Sequence, residues 1–125
     1  MLVACEFSGR VRDAFIARGA LAISCDLVPT EAPGPHFTGD VRTLLRLKRW
    51  RVVAGFPPCT HTALSGSQYF AQKMADGRQW HGLELILELL FADADAALVE
   101  QPRSTFGTTH RPADVKCHPF HFGDG

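Results

Sequence analysis

The stretch that decides the fold is Leu2-Val3-Ala4-Cys5-Glu6-Phe7-Ser8-Gly9, read together with the residues up to Asp26. Leu2 to Cys5 is an apolar run of the length of a short buried strand. Glu6 to Gly9 is a turn. Val11, Ala14 and Phe15 then recur at helical spacing until Gly19, where a left-handed terminator is cheap. Leu21 to Cys25 is a second apolar run, closed by Asp26. Strand, helix and strand in so compact a unit predict a parallel pair with a right-handed crossover. The chain is expected to be α/β.

Outward from this unit, Pro29 to Pro35 holds three prolines and a glycine and reads as a loop. Asp40 is placed to cap a short helix through Val41, Leu44, Leu45 and Leu47. Arg51 to Phe56 is a third strand. Pro57 and Pro58 cannot donate to a sheet ladder and hold φ near −65°, so the strand ends there. Cys59 then projects from a stiff turn at a strand's carboxyl end, the edge where open α/β sheets bind ligands. Thr60 to Ser67, rich in hydroxyls and small residues, fits a mobile loop. Leu83 to Phe91 is apolar nearly all round, with Glu84 and Glu88 on one polar line, which predicts a well-buried helix. Ala96 to Val99 is the next strand, ending at Glu100. Prolines at 102, 112 and 119 interrupt the remainder, where Val115 to Phe122 reads as an irregular strand or hairpin arm. Phe122-Gly123-Asp124-Gly125 reads as a turn leading onward, so the sequence is expected to stop before the fold does.

A chain of 125 residues is expected to form one domain, 1–125, with room for a real core. Formal net charge is zero, which excludes a global field drawing in nucleic acid. The cations are mostly arginine, however, and arginine suits bidentate phosphate and base contacts. Four cysteines are spread without a tight framework, and the short apolar run up to Cys5 is too brief to be expected to act as a secretory leader. No run approaches the roughly twenty apolar residues of a membrane span. A soluble protein of the reducing cytoplasm is expected.

Chemistry-bearing residues fall at strand ends on one expected edge: Glu6 to Gly9, Asp26, Cys59 and Glu100. A glycine turn into a helix lets backbone N–H groups approach a ligand. A carboxylate closing the next strand, roughly twenty residues on, is placed to take ribose hydroxyls. With a single glycine the turn does not suit a pyrophosphate, so a nucleoside without phosphates fits better. Each residue also has a plainer reading. Cys59 equally suits a small buried hydrophobe, Asp26 an exposed acid and Asp40 a helix cap only. Glu100 directly follows four apolar strand residues, and a buried acid needs a partner or a raised pKa.

The order of these parts resembles the DNA cytosine-5 methyltransferases, and more closely the short phage and prophage proteins of that kind. The resemblance is carried by Ala4 to Phe15, Ser24-Cys25-Asp26-Leu27, Gly39-Asp40-Val41, Pro57-Pro58-Cys59-Thr60, Val99-Glu100-Gln101-Pro102 and Phe122-Gly123-Asp124. It implies a Rossmann-like three-layer sandwich with a mostly parallel sheet, S-adenosylmethionine as cofactor and a cytosine-containing DNA as partner. It implies that Phe7, Ser8, Gly9 and Pro57 border the cofactor, Asp26 takes the ribose hydroxyls and Asp40 lies near the adenine amine. Cys59 matches the nucleophile, and Glu100 the glutamate that holds the target cytosine. Gln101 stands where the family carries asparagine. Phe56, rather than an acidic or amide residue, precedes the two prolines, which favours carbon over nitrogen methylation. No separate target-recognition domain fits in the chain.

Two rival readings stay open. Cys59 with His61, and Cys117 with His118 and His121, bear zinc-ligating groups, although their spacings fit no common finger. A non-catalytic module that only binds cofactor or nucleic acid is the other. Arg10, Arg12, Arg103 and Arg111 flank the motifs and suit either phosphate contacts or a solvated surface.

Overall fold

The computed structural model describes residues 1–118, 121 and 123. The fold is α/β, built on a five-stranded, wholly parallel sheet in the order β3-β2-β1-β4-β5, the Rossmann-like order. The strands are β1 (Leu2–Ala4), β2 (Ile23–Asp26), β3 (His36–Thr38), β4 (Trp50–Gly55) and β5 (Ala94–Val99). The helices are α1 (Arg10–Ile16), α2 (Val41–Leu47), α3 (Phe70–Ala75), α4 (Arg78–Leu90) and α5 (Thr105–Thr109). The expected parallel pair is β1 with β2, in register Leu2 to Ile23 and Ala4 to Cys25.

Side-chain alternation along the strands sets the core. Leu2, Ala4, Cys25 and Val53 join Val41 and Leu44 of α2, Trp50 and Leu89 of α4 in one buried cluster. Leu2, Val53 and Leu89 have no exposed surface, and each such side chain contributes about 1.5–3 kcal/mol by leaving water. The Trp50 indole donates to the Leu44 carbonyl at 3.0 Å, tying the end of α2 to the start of β4. Gly55 is what lets α4 sit close on β4. A Cβ there would lie 2.9 Å from Leu89 Cδ1.

The structure departs from the sequence expectations in several places. Strand β3 stands directly after the proline loop, where the sequence predicts no strand; it is too short to show a period and is held by pairing to β2. Thr60 to Ser67 is no simple loop: a 3-10 turn covers Leu64–Tyr69 and leads directly into α3. Helix α4 starts at Arg78 rather than Leu83, because Gly77 at φ 81 turns the chain and the Asp76 carboxylate accepts from Arg78 N. It is also less buried than its composition suggests. Leu83, Ile86 and Leu89 are buried, whereas Phe91 just beyond is 77% exposed. Residues 115–118 form no strand. Positions 119, 120, 122, 124 and 125, on which the rest of that arm and the closing turn fall, lie outside the described residues. Among the described residues no helix is long and apolar enough to cross a membrane.

Candidate functional site at the carboxyl edge

The strand order reverses between β1 and β4, and the crevice outside their carboxyl ends is where such sheets take ligands. Hydrogen bonds continue past the strand ends and hold their exits side by side. Glu6 N donates to Cys25 O at 3.1 Å, Phe56 N to Ala4 O at 2.9 Å and Glu100 N to Gly55 O at 2.9 Å. The turns carrying Glu6, Cys59 and Glu100 therefore leave neighbouring strands at one edge.

The first turn is bracketed by left-handed backbone, Cys5 at φ 58 and Gly9 at φ 78. A positive φ at a residue with a Cβ is a local cost that the surrounding structure must impose. Between them Phe7 is partly exposed, and the Ser8 hydroxyl donates to Glu6 Oε1 while accepting from Arg10 N. Packing alone already requires Gly9: a Cβ would lie 2.6 Å from Arg12 Nη2 and 2.9 Å from Ala32 Cβ.

Arg12 overturns the expectation of a phosphate contact or a solvated cation. It has no exposed surface. Its guanidinium donates to Asp13 Oδ1 at 2.7 Å, Ser24 Oγ at 3.2 Å, and the Ala32 and Pro33 carbonyls at 3.1 and 3.2 Å. It organises the proline-rich loop between β2 and β3. Arg10, Arg103 and Arg111 are exposed, and Arg111 pairs with Asp114.

Asp26 is half-buried at the end of β2, with Oδ1 accepting Val28 N at 3.2 Å. Asp40 is the cap of α2: its carboxylate accepts Arg42 N at 2.9 Å. The Cys5 thiol lies within the field of both carboxylates, and burial first, then Asp26, pushes it up to about 12. Burial likewise raises Cys25 to about 11. Both thiols are held neutral.

The Cys59 turn is braced from two sides. Its own carbonyl accepts Thr62 N at 3.0 Å and Ala63 N at 2.9 Å, making a compact turn directly after the prolines. The buried Lys73 of α3 donates to Thr60 O at 2.6 Å. From the segment after β5, Gln101 donates to Pro57 O at 3.1 Å and accepts from Thr62 Oγ1 at 3.2 Å, while Thr105 N reaches Thr62 O. Pro57 is buried beneath this clasp, and Cys59 is half-exposed above it.

Glu100 corrects the reading of a buried acid. It is exposed, at the end of β5, the outer strand of the described sheet. The buried carboxylate belongs instead to Glu6, 7% exposed. Among the described residues two buried side-chain atoms lack a hydrogen-bond partner, Glu6 Oε2 and His61 Nδ1. One follows β1 and the other β4, the two strands between which the order reverses. Buried polar atoms are nearly always satisfied, and exceptions call for an explanation. From the sequence, Glu6 reads as part of the polar turn at the expected ligand edge, with no role of its own, and His61 only as a zinc ligand. Among the described residues no group of three or more His, Cys, Asp or Glu is placed to hold a metal ion.

Comparisons of the chain with protein-family models, with curated proteins and with solved structures found no match.

Proposed function

We propose that the chain binds S-adenosylmethionine across the carboxyl edge of its sheet and methylates carbon 5 of a cytosine in DNA through Cys59. The observation that carries this reading is the alignment of exits: Cys59 follows β4, next to the Glu6–Gly9 turn on one side and Glu100 on the other. The residues fit the cofactor. Phe7 offers an exposed ring, Asp26 a half-buried carboxylate at the neighbouring strand end, and Glu6 an unsatisfied buried oxygen between Asp26 and the thiol. Bound there, the cofactor supplies an electrophilic methyl on its sulfonium.

The chain's own part is nucleophilic and electrostatic catalysis. Carbon 5 of cytosine is a poor nucleophile until the Cys59 thiolate adds to carbon 6 and pushes electron density across the ring. Glu100 hydrogen-bonds the ring nitrogen and exocyclic amine and stabilises that adduct. Carbon 5 takes the methyl, a base removes its proton, and the carbon–sulfur bond to Cys59 breaks. The exposure of Glu100 suits this role, since the target base must be flipped out of the duplex to reach it.

The test is covalent trapping. With DNA carrying 5-fluorocytosine and S-adenosylmethionine, carbon 5 holds fluorine in place of the departing proton, so the adduct persists. The wild-type chain is expected to gain the mass of the methylated DNA on the Cys59 peptide, and Cys59→Ala to gain none. Absence of an adduct in the wild type sinks the catalytic reading and leaves a cofactor- or nucleic-acid-binding module.

A further inference from the structure

Leu83 to Phe91 is apolar nearly all round, and a helix of that kind is ordinarily covered on every side. The fold covers one face of α4 only, that of Leu83, Ile86 and Leu89. At about 100° per residue, Trp80, Glu84, Leu87 and Phe91 share a second stripe, roughly a third of the circumference away. On it Trp80 is 67% exposed, Phe91 77% exposed and Leu87 half-buried. Two shallow grooves adjoin the stripe and meet at Glu88. One lies along Trp80, Glu84 and Leu87, the other between Phe91 and the α2 residues Leu45 and Arg46. An apolar stripe with a charged rim marks an interaction surface.

The charges of that rim select the partner. Glu88 is held by Arg42 at 2.5 Å and Asp93 by Arg49 at 2.8 Å. Arg46, beside Phe91, makes no ion pair among the described residues, and Glu84, beside Trp80, meets only the exposed His81 at 3.6 Å. An unspent cation near one end of the stripe and a weakly held acid near the other complement each other under a two-fold axis. We propose that this face of α4, with the end of α2, takes a second copy of the chain, the two α4 helices running antiparallel. Trp80 of each copy then enters the groove between Phe91 and Arg46 of the other, where a guanidinium stacks well on an indole. Arg46 meets Glu84 of the other copy, twice by symmetry. Trp80 and Phe91 offer about 150–250 Å² each before their partial burial. From two copies, with Leu87 and the rim, this reaches the roughly 1,000 Å² of a weak specific interface. A micromolar dimer is expected. Phe91 lies just before β5, at the amino edge of the sheet, so the inference is independent of the chemistry at the carboxyl edge.

Sedimentation equilibrium of the full chain, from about 1 to about 200 μM, tests it. The wild type is expected to pass from the monomer mass to twice that mass across this range. Phe91→Ser and Trp80→Ser are each expected to weaken the dimer by roughly tenfold or more. Arg46→Glu and Glu84→Arg, which set like charges opposite each other, are expected to weaken it by about tenfold apiece. The double variant Arg46→Glu/Glu84→Arg restores the pairing and is expected within about threefold of wild type. All four side chains are exposed, and circular dichroism confirms that each variant is folded; should Trp80→Ser unfold, Phe91→Ser carries the apolar arm. A wild type that keeps the monomer mass throughout overturns the proposal, as does growth beyond two copies, which a closed two-fold pair excludes. A dimer that neither serine variant weakens lies on another surface. A double variant no tighter than the single ones overturns the antiparallel pairing.

Discussion

Arg12 shows how much one side chain organises near the site. Its guanidinium reaches Asp13, Ser24 and the carbonyls of Ala32 and Pro33, and it occupies the space that a Cβ on Gly9 or Gly34 would need. Truncation removes all of these donors and leaves the buried Ser24 hydroxyl without one of them, at about 1–3 kcal/mol for that group. Arg12→Met is expected to lose roughly 3 kcal/mol or more and to melt about 10 °C lower. Thermal unfolding followed by circular dichroism measures this, and a melting point within about 2 °C of wild type would contradict it. Nothing in the local sequence separates Arg12 from Arg10, which is exposed. The difference arises only when the loop from Thr30 to Pro35 folds over α1.

At the scale of elements, the Cys59 turn owes its shape to segments far along the chain. Lys73 of α3 is 7% exposed and spends its ammonium on the Thr60 carbonyl, with no carboxylate paired to it among the described residues. A charge-assisted bond of this kind contributes about 1.5–3 kcal/mol. Lys73→Met is expected to raise amide hydrogen exchange over Thr60–Ser67 by roughly tenfold to a hundredfold, while β1 and β4 exchange as before. Unchanged exchange in that segment would show that the prolines and Gln101 suffice to hold it. The same contacts explain why the segment reads as a loop: its hydroxyls and small residues are those of a loop, and its order comes from α3 and the segment after β5. Helix α2 is the opposite case. Asp40 and the apolar spacing after it suffice locally, and helix and cap lie where the sequence puts them.

For the whole molecule, the all-parallel sheet holds a half-buried and a buried thiol at its carboxyl edge, and this couples stability to alkaline pH. Cys5 is raised from 9.0 to about 12 and Cys25 from 9.0 to about 11, both chiefly by burial. The unfolded chain releases these protons near pH 9, the folded chain only later, so their contribution is complete below pH 9 and is lost as pH rises through about 11 and about 12. Denaturant midpoints are expected to fall over that window, and to fall less steeply in Cys5→Ala. An identical slope in the variant would count against Cys5 as a source.

What the sequence determined by itself is the α/β class and the position of most strands, because apolar runs ending in Pro, Gly or a carboxylate are local signals. It also brought Cys59, Asp26 and Glu100 to strand ends. Which carboxylate is buried was decided by tertiary structure alone. Glu6 and Glu100 each follow an apolar run directly and are indistinguishable along the chain. Strand order separates them: β1 is flanked by β2 and β4, so the residue after it is enclosed, whereas β5 is outermost in the described sheet and its end faces solvent.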